Sequence, residues 1–503
     1  MVNKSPLFER RTAGVLLHPT SLPCSESYSF NSDKKFFGTL GRDAYKFVDF
    51  LAEAGFSIWQ MLPTGPTQSD MSPYQSISAH AGNPDLISLD WLAEQGWIAL
   101  QENVIRNQTI DNLRHMAAES FYEKLESEQG AQLRENFERF CEDQGYWLDD
   151  FALFSAIRAS KTTLSWVDWP DELRTREMSS LQKIRTELKV ELDQVLFEQF
   201  AFFSQWHALK KYANERGIFL FGDMPIFVGH DSADVWAQQH YFSLDTHGNP
   251  LTVAGVPPDY FSETGQHWGN PHYNWDEMTA DGFLWWQARL KTQLQLFDLI
   301  RIDHFRGFEA FWEIPAGSRD ARAGKWVKAP GAALLRACFE AFPQLPLVAE
   351  NLGLITEEVE ALRREFNLPG MLVLQFGFDG NSNNPHLPHN HNRDEVIYTG
   401  THDNDTTLGW YENLAENNRQ LIKKYFFNST EPMPWLLIEA ALSSVGNMAI
   451  MPLQDLLELD GGHRMNMPGT TDKNWVWTFS WDQLDPGLAG HIRQLLTIYH
   501  RLG

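Results

Sequence analysis

The chain has 503 residues, of which 43% are hydrophobic and 13% aromatic, including 19 Trp and 34 Phe; this excludes a disordered chain and supplies a large core. Lys and Arg number 41 against 66 Asp and Glu, and the net charge of −25 repels phosphate backbones and anionic lipid, so neither nucleic acid nor a membrane is an expected partner. Cys24, Cys141 and Cys338 are widely spaced without a CxxC, and no stretch is long and apolar enough to span a bilayer. The apolar run at residues 13–17 is too short for a signal segment, and the expected location is the cytoplasm.

In chain order, Gly14-Val15-Leu16-Leu17-His18-Pro19 reads as a strand. Ala44, Phe47, Val48 and Leu51 then recur at helical spacing, Gly55 is placed to cap the helix, and residues 57–63 form a second strand. Strand, helix and strand in so short a space predict a parallel sheet. Residues 1–63 thus hold the first barrel strands, and residues 64–217 read as an inserted, mainly helical subdomain leading back to the barrel. This segment ends in a long helix carrying Leu188, Leu192, Val195, Leu196, Phe203 and Trp206.

Residues 218–503 read as the remainder of the barrel. Ile218 to Pro225 is a strand with Asp223 near its end, and residues 230–275, dense in Gly, Pro and aromatics, suit a folded loop over a pocket. A helix marked by Phe283, Trp286, Leu290, Leu294 and Phe297 leads into Leu299-Ile300-Arg301-Ile302-Asp303. Helices near 331–342 and from Thr356 precede strands at 347–351 and 371–376, and residues 395–403 and 447–452 supply two more. Eight short strands separated by helices, with no Gly-rich phosphate loop after the first, predict an α/β fold of the (β/α)8 barrel type with helical and loop-rich insertions.

Such a barrel places its site at the C-terminal strand ends. Polar residues there are Asp223, Arg301 with Asp303, Glu350, and His402 with Asp403. Leu299, Arg301 and Asp303 share one strand face, so Arg301 and Asp303 are either a functional charge pair or an ion pair closing a barrel layer. Acids at four of the eight strand ends would repel one another unless they served a site, which favours function for the set. Clustered carboxylates serve divalent metal chemistry or glycosyl transfer. Arg301 favours the second, because a metal would already supply the positive charge, and the abundant aromatics give sugar rings flat faces.

Four segments carry a family resemblance: Gly222-Asp223-Met224-Pro225-Ile226, Arg301-Ile302-Asp303-His304, Ala349-Glu350-Asn351-Leu352-Gly353 and Thr401-His402-Asp403-Asn404-Asp405. In this order they resemble the four short motifs of the α-amylase clan. Ser72-Pro73-Tyr74-Gln75, Gln266-His267-Trp268-Gly269-Asn270-Pro271 and Arg464-Met465-Asn466 narrow the resemblance to the 4-α-glucanotransferase, or amylomaltase, family. It covers the chain from His18 to the C-terminal region.

The resemblance implies a retaining double displacement on α-1,4-glucans, with a maltodextrin donor, a glucose or maltodextrin acceptor, and neither cofactor nor metal. Asp303 corresponds to the nucleophile, Glu350 to the acid and base, and Asp403 to a third acid holding ring hydroxyls. Arg301 supports Asp303, and Asp223 and His402 bind the same ring. Tyr74, Asp259, Tyr260, Trp268 and Phe376 correspond to sugar-contacting residues. Family members often carry an aromatic of a second glucan groove where this chain has Gln68-Ser69-Asp70-Met71. A retaining α-amylase-type hydrolase is the alternative reading, and the oligomeric state is not legible.

Overall fold

The computed structural model describes residues 5–25, 37–101, 108–161, 165–258, 262–470 and 472–503. Eight parallel strands form one sheet: β1 (Thr12–Leu16), β2 (Ile58–Gln60), β3 (Phe219–Pro225), β6 (Leu299–Asp303), β9 (Leu347–Ala349), β10 (Gly370–Val373), β11 (Glu395–Tyr398) and β12 (Met448–Pro452). Their order is β10-β11-β12-β1-β2-β3-β6-β9. The remaining gap, between β9 and β10, is bridged by Ala349 N donating to Pro369 O at 2.9 Å. This is the (β/α)8 barrel expected from the eight apolar runs.

Side-chain alternation divides the core in two. Leu16, Ile58, Phe221, Leu299, Val348, Val373, Val396, Tyr398 and Ile450 fill the barrel interior. Leu220, Ile300, Ile302, Leu347, Ala349 and Ile397 face the helices outside. The helix Arg42–Ala54 buries Ala44, Phe47, Val48 and Leu51 and ends where Gly55 turns left-handed at φ 85°, donating back to Leu51 O and Ala52 O. The 26-residue helix Lys189–Asn214 buries Leu192, Phe203 and Trp206 and packs against β3 and the Arg42–Ala54 helix. Among the described residues no helix is long and apolar enough to cross a membrane.

Several sequence-level expectations are corrected. The strand expected at residues 371–376 stops at Val373, and Leu374–Phe376 form a 3-10 turn. The strand expected at 395–403 stops at Tyr398, which releases Thr399 to Asp403 as a loop. Thr356 does stand before the helix Glu357–Glu365, but its side chain caps no backbone N–H of the first turn. The loop-rich segment over the cleft contains β4 (Thr252–Val256) and β5 (Gln266–Pro271), which join β7 (Ala310–Pro315) and β8 (Lys325–Lys328) in an antiparallel sheet of order β5-β4-β7-β8. Its central pairing, β4 with β7, joins segments far apart in sequence, and its strands carry Gly and Pro, so no local periodicity announced it. At Gly255 a Cβ would lie 2.1 Å from Gln266 O, so the close approach of β4 to β5 demands glycine there.

Candidate active site

Inward-pointing positions at the C-terminal strand ends assemble the site. On β3, Phe221 points inward and Asp223 inherits that face; on β6, Leu299 does the same for Arg301 and Asp303. The β3–β6 register sets Asp223 opposite Arg301 and Pro225 opposite Asp303. Arg301 Nη1 donates to both Asp223 oxygens at 2.8 and 2.7 Å, and Nη2 lies 2.9 Å from Asp303 Oδ1. The Asp223 and Arg301 side chains are only 1% and 7% exposed, so either charge alone would cost several kcal/mol. Burial, with Asp303 beside it, pushes the Asp223 carboxyl up against the opposing pull of the Arg301 guanidinium. Burial likewise opposes the charge on Arg301, yet Asp223 and Asp303 hold its pKa well above the ordinary range.

Glu350 follows the short strand β9 and continues the ladder, its N–H donating to Ile302 O at 3.0 Å. His304, just past Asp303, takes a left-handed conformation (φ 56°, ψ 47°), which costs a non-glycine residue about 1–2 kcal/mol. That turn aims His304 N–H at Glu350 Oε2 (2.8 Å), while Leu352 N–H reaches Oε1 (2.8 Å). Burial is the largest influence on Glu350, and Asp303 adds to it. Together they outweigh Arg301 and the two backbone donors, raising the pKa to about 7. At neutral pH Glu350 therefore exchanges a proton readily in both directions, as a group serving first as acid and then as base must.

A second arm of the site hangs on the loop after β11. Tyr74 O–H donates to Asp223 Oδ2 at 2.7 Å, so its single proton is committed and its oxygen accepts from His402 Nε2, 2.9 Å away. The two rings stack at 5.2 Å and 18°, and Trp475 lies tilted against both at 5.8 and 6.0 Å. His402 Nε2 is also 3.2 Å from Asp403 Oδ2. Burial lowers the His402 pKa, but the Asp403 charge and hydrogen bond overcome it and the net shift is upward. For Asp403, desolvation opposes ionisation, and His402, Asn466 and Arg301 together bring the pKa down to about 2. Polar contacts therefore run unbroken from Asp403 through His402, Tyr74, Asp223 and Arg301 to Asp303.

The remaining expected residues are less closely joined. Trp268, on β5, meets the His304 ring edge-on at 4.9 Å and so stands beside the Asp303 strand end. Phe376 lies in the turn after β10, 39% exposed, with the His386 ring at 5.5 Å. It thus follows the C-terminal end of β10, at the same rim of the barrel. Asp259 and Tyr260 lie outside the described residues.

Arg464 and Asn466, singled out in the sequence only as part of a motif, take places in the site, and Asp455, which sequence reasoning missed, supports it. Asn466 Nδ2 donates to Asp403 Oδ1 at 2.6 Å, and Arg464 Nη2 to Asp403 O at 2.9 Å. Buried Asp455, just past β12, accepts from Thr399 Oγ1 (2.6 Å), Thr407 N–H (2.7 Å) and Thr407 Oγ1 (2.7 Å). It thereby clamps both ends of the loop that carries His402 and Asp403. Its signal was an acid inside the apolar run Pro452-Leu453-Gln454-Asp455-Leu456-Leu457 at a further strand end.

The chain as a whole is similar to known proteins. A family model described as 4-alpha-glucanotransferase matches residues 17–483. A 4-alpha-glucanotransferase of Thermus thermophilus is 46% identical over 506 residues, covering 98% of this chain and 99% of that protein. A chloroplastic/amyloplastic 4-alpha-glucanotransferase of Solanum tuberosum is 42% identical, covering 98% of this chain and 87% of that protein. Among solved structures, an amylomaltase from Streptococcus agalactiae in complex with acarbose superposes with a TM-score of 0.91 at 36% identity, covering 98% of this chain and 100% of that one.

Proposed function

The chain belongs to the 4-alpha-glucanotransferase family, and we propose that its barrel cleft moves α-1,4-glucan segments from one maltodextrin to the 4-hydroxyl of another. Asp303 attacks the anomeric carbon of the donor while Glu350 protonates the departing glycosidic oxygen. The bond to the leaving sugar breaks as a covalent glycosyl ester forms on Asp303. An acceptor hydroxyl then gives its proton to Glu350 and displaces Asp303, which restores both groups.

The observation that carries this reading is the contrast between the two carboxyls: a fixed cation stands 2.9 Å from Asp303, whereas burial keeps Glu350 exchanging its proton near pH 7. Arg301 fixes Asp303 in place and stabilises the leaving carboxylate in the second step. Asp223, His402 and Asp403 present oriented partners to hydroxyls of the reacting ring, and Tyr74, Trp268 and Phe376 offer apolar faces along the glucan. The antiparallel sheet bearing Trp268 shields the strand ends, which favours a bound sugar over water as acceptor. A cytoplasmic location suits the composition, although the potato relative is a plastid protein.

Incubation with maltotriose alone, following chain lengths and total reducing ends together, tests the proposal. Glucose appearing with maltopentaose and longer chains at constant reducing ends is the expected result. Rising reducing ends without longer products would replace transfer with hydrolysis.

A further inference from the structure

Away from the cleft, the segment 146–151 of the helical insertion faces the barrel helix Leu284–Leu296 and the short helix Ala233–Ala237 across a cavity of about 180 Å³. The walls are aromatic: Tyr146, Trp147, Phe151, Tyr241 and Trp285. At its inner end stand His80 and Asp234, whose side chains are 6% and 5% exposed. The His80 ring lies parallel to Trp147 at 5.8 Å. Asp234 Oδ2 accepts from Ala79 N–H at 2.8 Å, and Oδ1 faces His80 Nε2 at 3.7 Å, too far for the two to bond directly.

The proton order on His80 follows from its neighbours. Tyr146 Oη lies 2.6 Å from Thr292 Oγ1, and Thr292 Oγ1 lies 2.8 Å from His80 Nδ1. Because Oδ1 of the Asp234 carboxylate faces Nε2, neutral His80 carries its hydrogen there and its Nδ1 accepts from Thr292 Oγ1; the Tyr146 and Thr292 hydroxyls also have Gln144 Oε1 and Ala288 O within 3.4 Å, so it is the carboxylate that sets the order. The gap at the cavity floor is then bounded by one N–H donor and one carboxylate acceptor. A hydroxyl group satisfies both at once, accepting from Nε2–H and donating to Oδ1.

The geometry points to an accessory binding site here for one neutral pyranose ring of the glucose class, outside the catalytic cleft. Aromatic walls receive the apolar faces of a sugar, and the His80–Asp234 pair anchors one hydroxyl. Charge selects against anions. The acids at the wall are Asp150 and Asp234; of the nearby cations, Arg176 lies 2.5 Å from Asp150, Arg289 is bonded to Pro225 O, Ile226 O and Tyr273 Oη, and Lys291 lies over the Tyr146 ring at 4.4 Å and donates to Asp143 O. Ser78 and His80 also line a smaller cavity that Tyr74 and Asp223 border.

The test is glucose titration of the wild-type protein, with the cleft filled by excess acarbose and the signal read from indole fluorescence, since Trp147 and Trp285 lie in the wall. Saturable binding with a Kd on the order of 1 mM is expected. Ala288→Phe fills the cavity from the helix side and should abolish this binding while leaving turnover of maltotriose within about twofold of wild type. Should Ala288→Phe fail to fold, Asp234→Asn, which removes only the acceptor charge, should weaken binding about tenfold. A wild-type protein with no saturable glucose response, or variants that bind glucose as tightly as wild type, would overturn the assignment.

Discussion

Two buried arginines stand at opposite ends of the barrel and solve the same problem differently. At the N-terminal end Arg501 is 0% exposed and bonds only to carbonyls, those of Thr12, Leu442, Ser444, Gly446 and Asn447, at 2.7–3.1 Å. Burial, with repulsion from Arg11, lowers its pKa to about 9. At the C-terminal end Arg301 bonds to Asp223 and Asp303, and their charges hold its pKa well up despite burial. Carbonyl dipoles accept a cation without creating a reactive group, whereas carboxylates around a cation remain anions poised for chemistry. The lower end therefore fastens the C-terminal helix under β1 and β12, and the upper end is arranged for reaction.

This contrast can be broken from either side, and the largest effect belongs to the upper end. Asp303→Asn should lower kcat by about 10⁴-fold or more while changing the melting temperature little, as steady-state assays beside thermal unfolding will read. Arg301→Gln leaves two acids uncompensated and should lower kcat by about 10²–10³-fold. Arg501→Met should do the reverse: it strips donors from buried carbonyls and destabilises by about 3–5 kcal/mol in urea unfolding, with kcat per folded molecule unchanged.

Smaller effects sharpen the picture. Glu350 must carry its proton to release the donor's leaving group and its pKa is raised to about 7, so the acid form is lost as pH climbs through that value. On its alkaline side, kcat/KM for a maltodextrin donor should fall about tenfold per pH unit. Asp455→Asn keeps the shape of the loop clamp but removes one acceptor from a site with three donors, and should lower kcat about tenfold with KM little changed. Restoration of kcat by Glu at this position is not expected, since the longer side chain displaces both threonines.

Much of the upper end was legible in the chain itself. Alternation along Leu299 to Asp303 put Arg301 and Asp303 on one face, and that face is the barrel interior. The eight apolar runs became the eight barrel strands because parallel strands are buried on both sides and so read as continuous hydrophobic stretches. The antiparallel sheet was not legible, since its central pairing joins β4 to β7 with the barrel strand β6 between them in the chain. Nor was the grip of Asn466 on Asp403, or the tilted contact of Trp475 with Tyr74 and His402, because each contact joins residues far apart in the chain. The downward displacement of the Asp403 pKa owes most to its chain neighbour His402, with Asn466 and Arg301 adding to it from far along the chain.

The most direct measurement is to trap the intermediate: incubate Glu350→Gln with a maltooligosaccharide fluoride, which needs no acid to depart, quench in acid and map the peptides by mass. The account requires glucosyl units esterified to Asp303 and absent from the Asp303→Asn, Glu350→Gln double variant. Sugar attached to a different carboxylate, or an Asp303 peptide that stays unmodified while the fluoride is turned over, would contradict it.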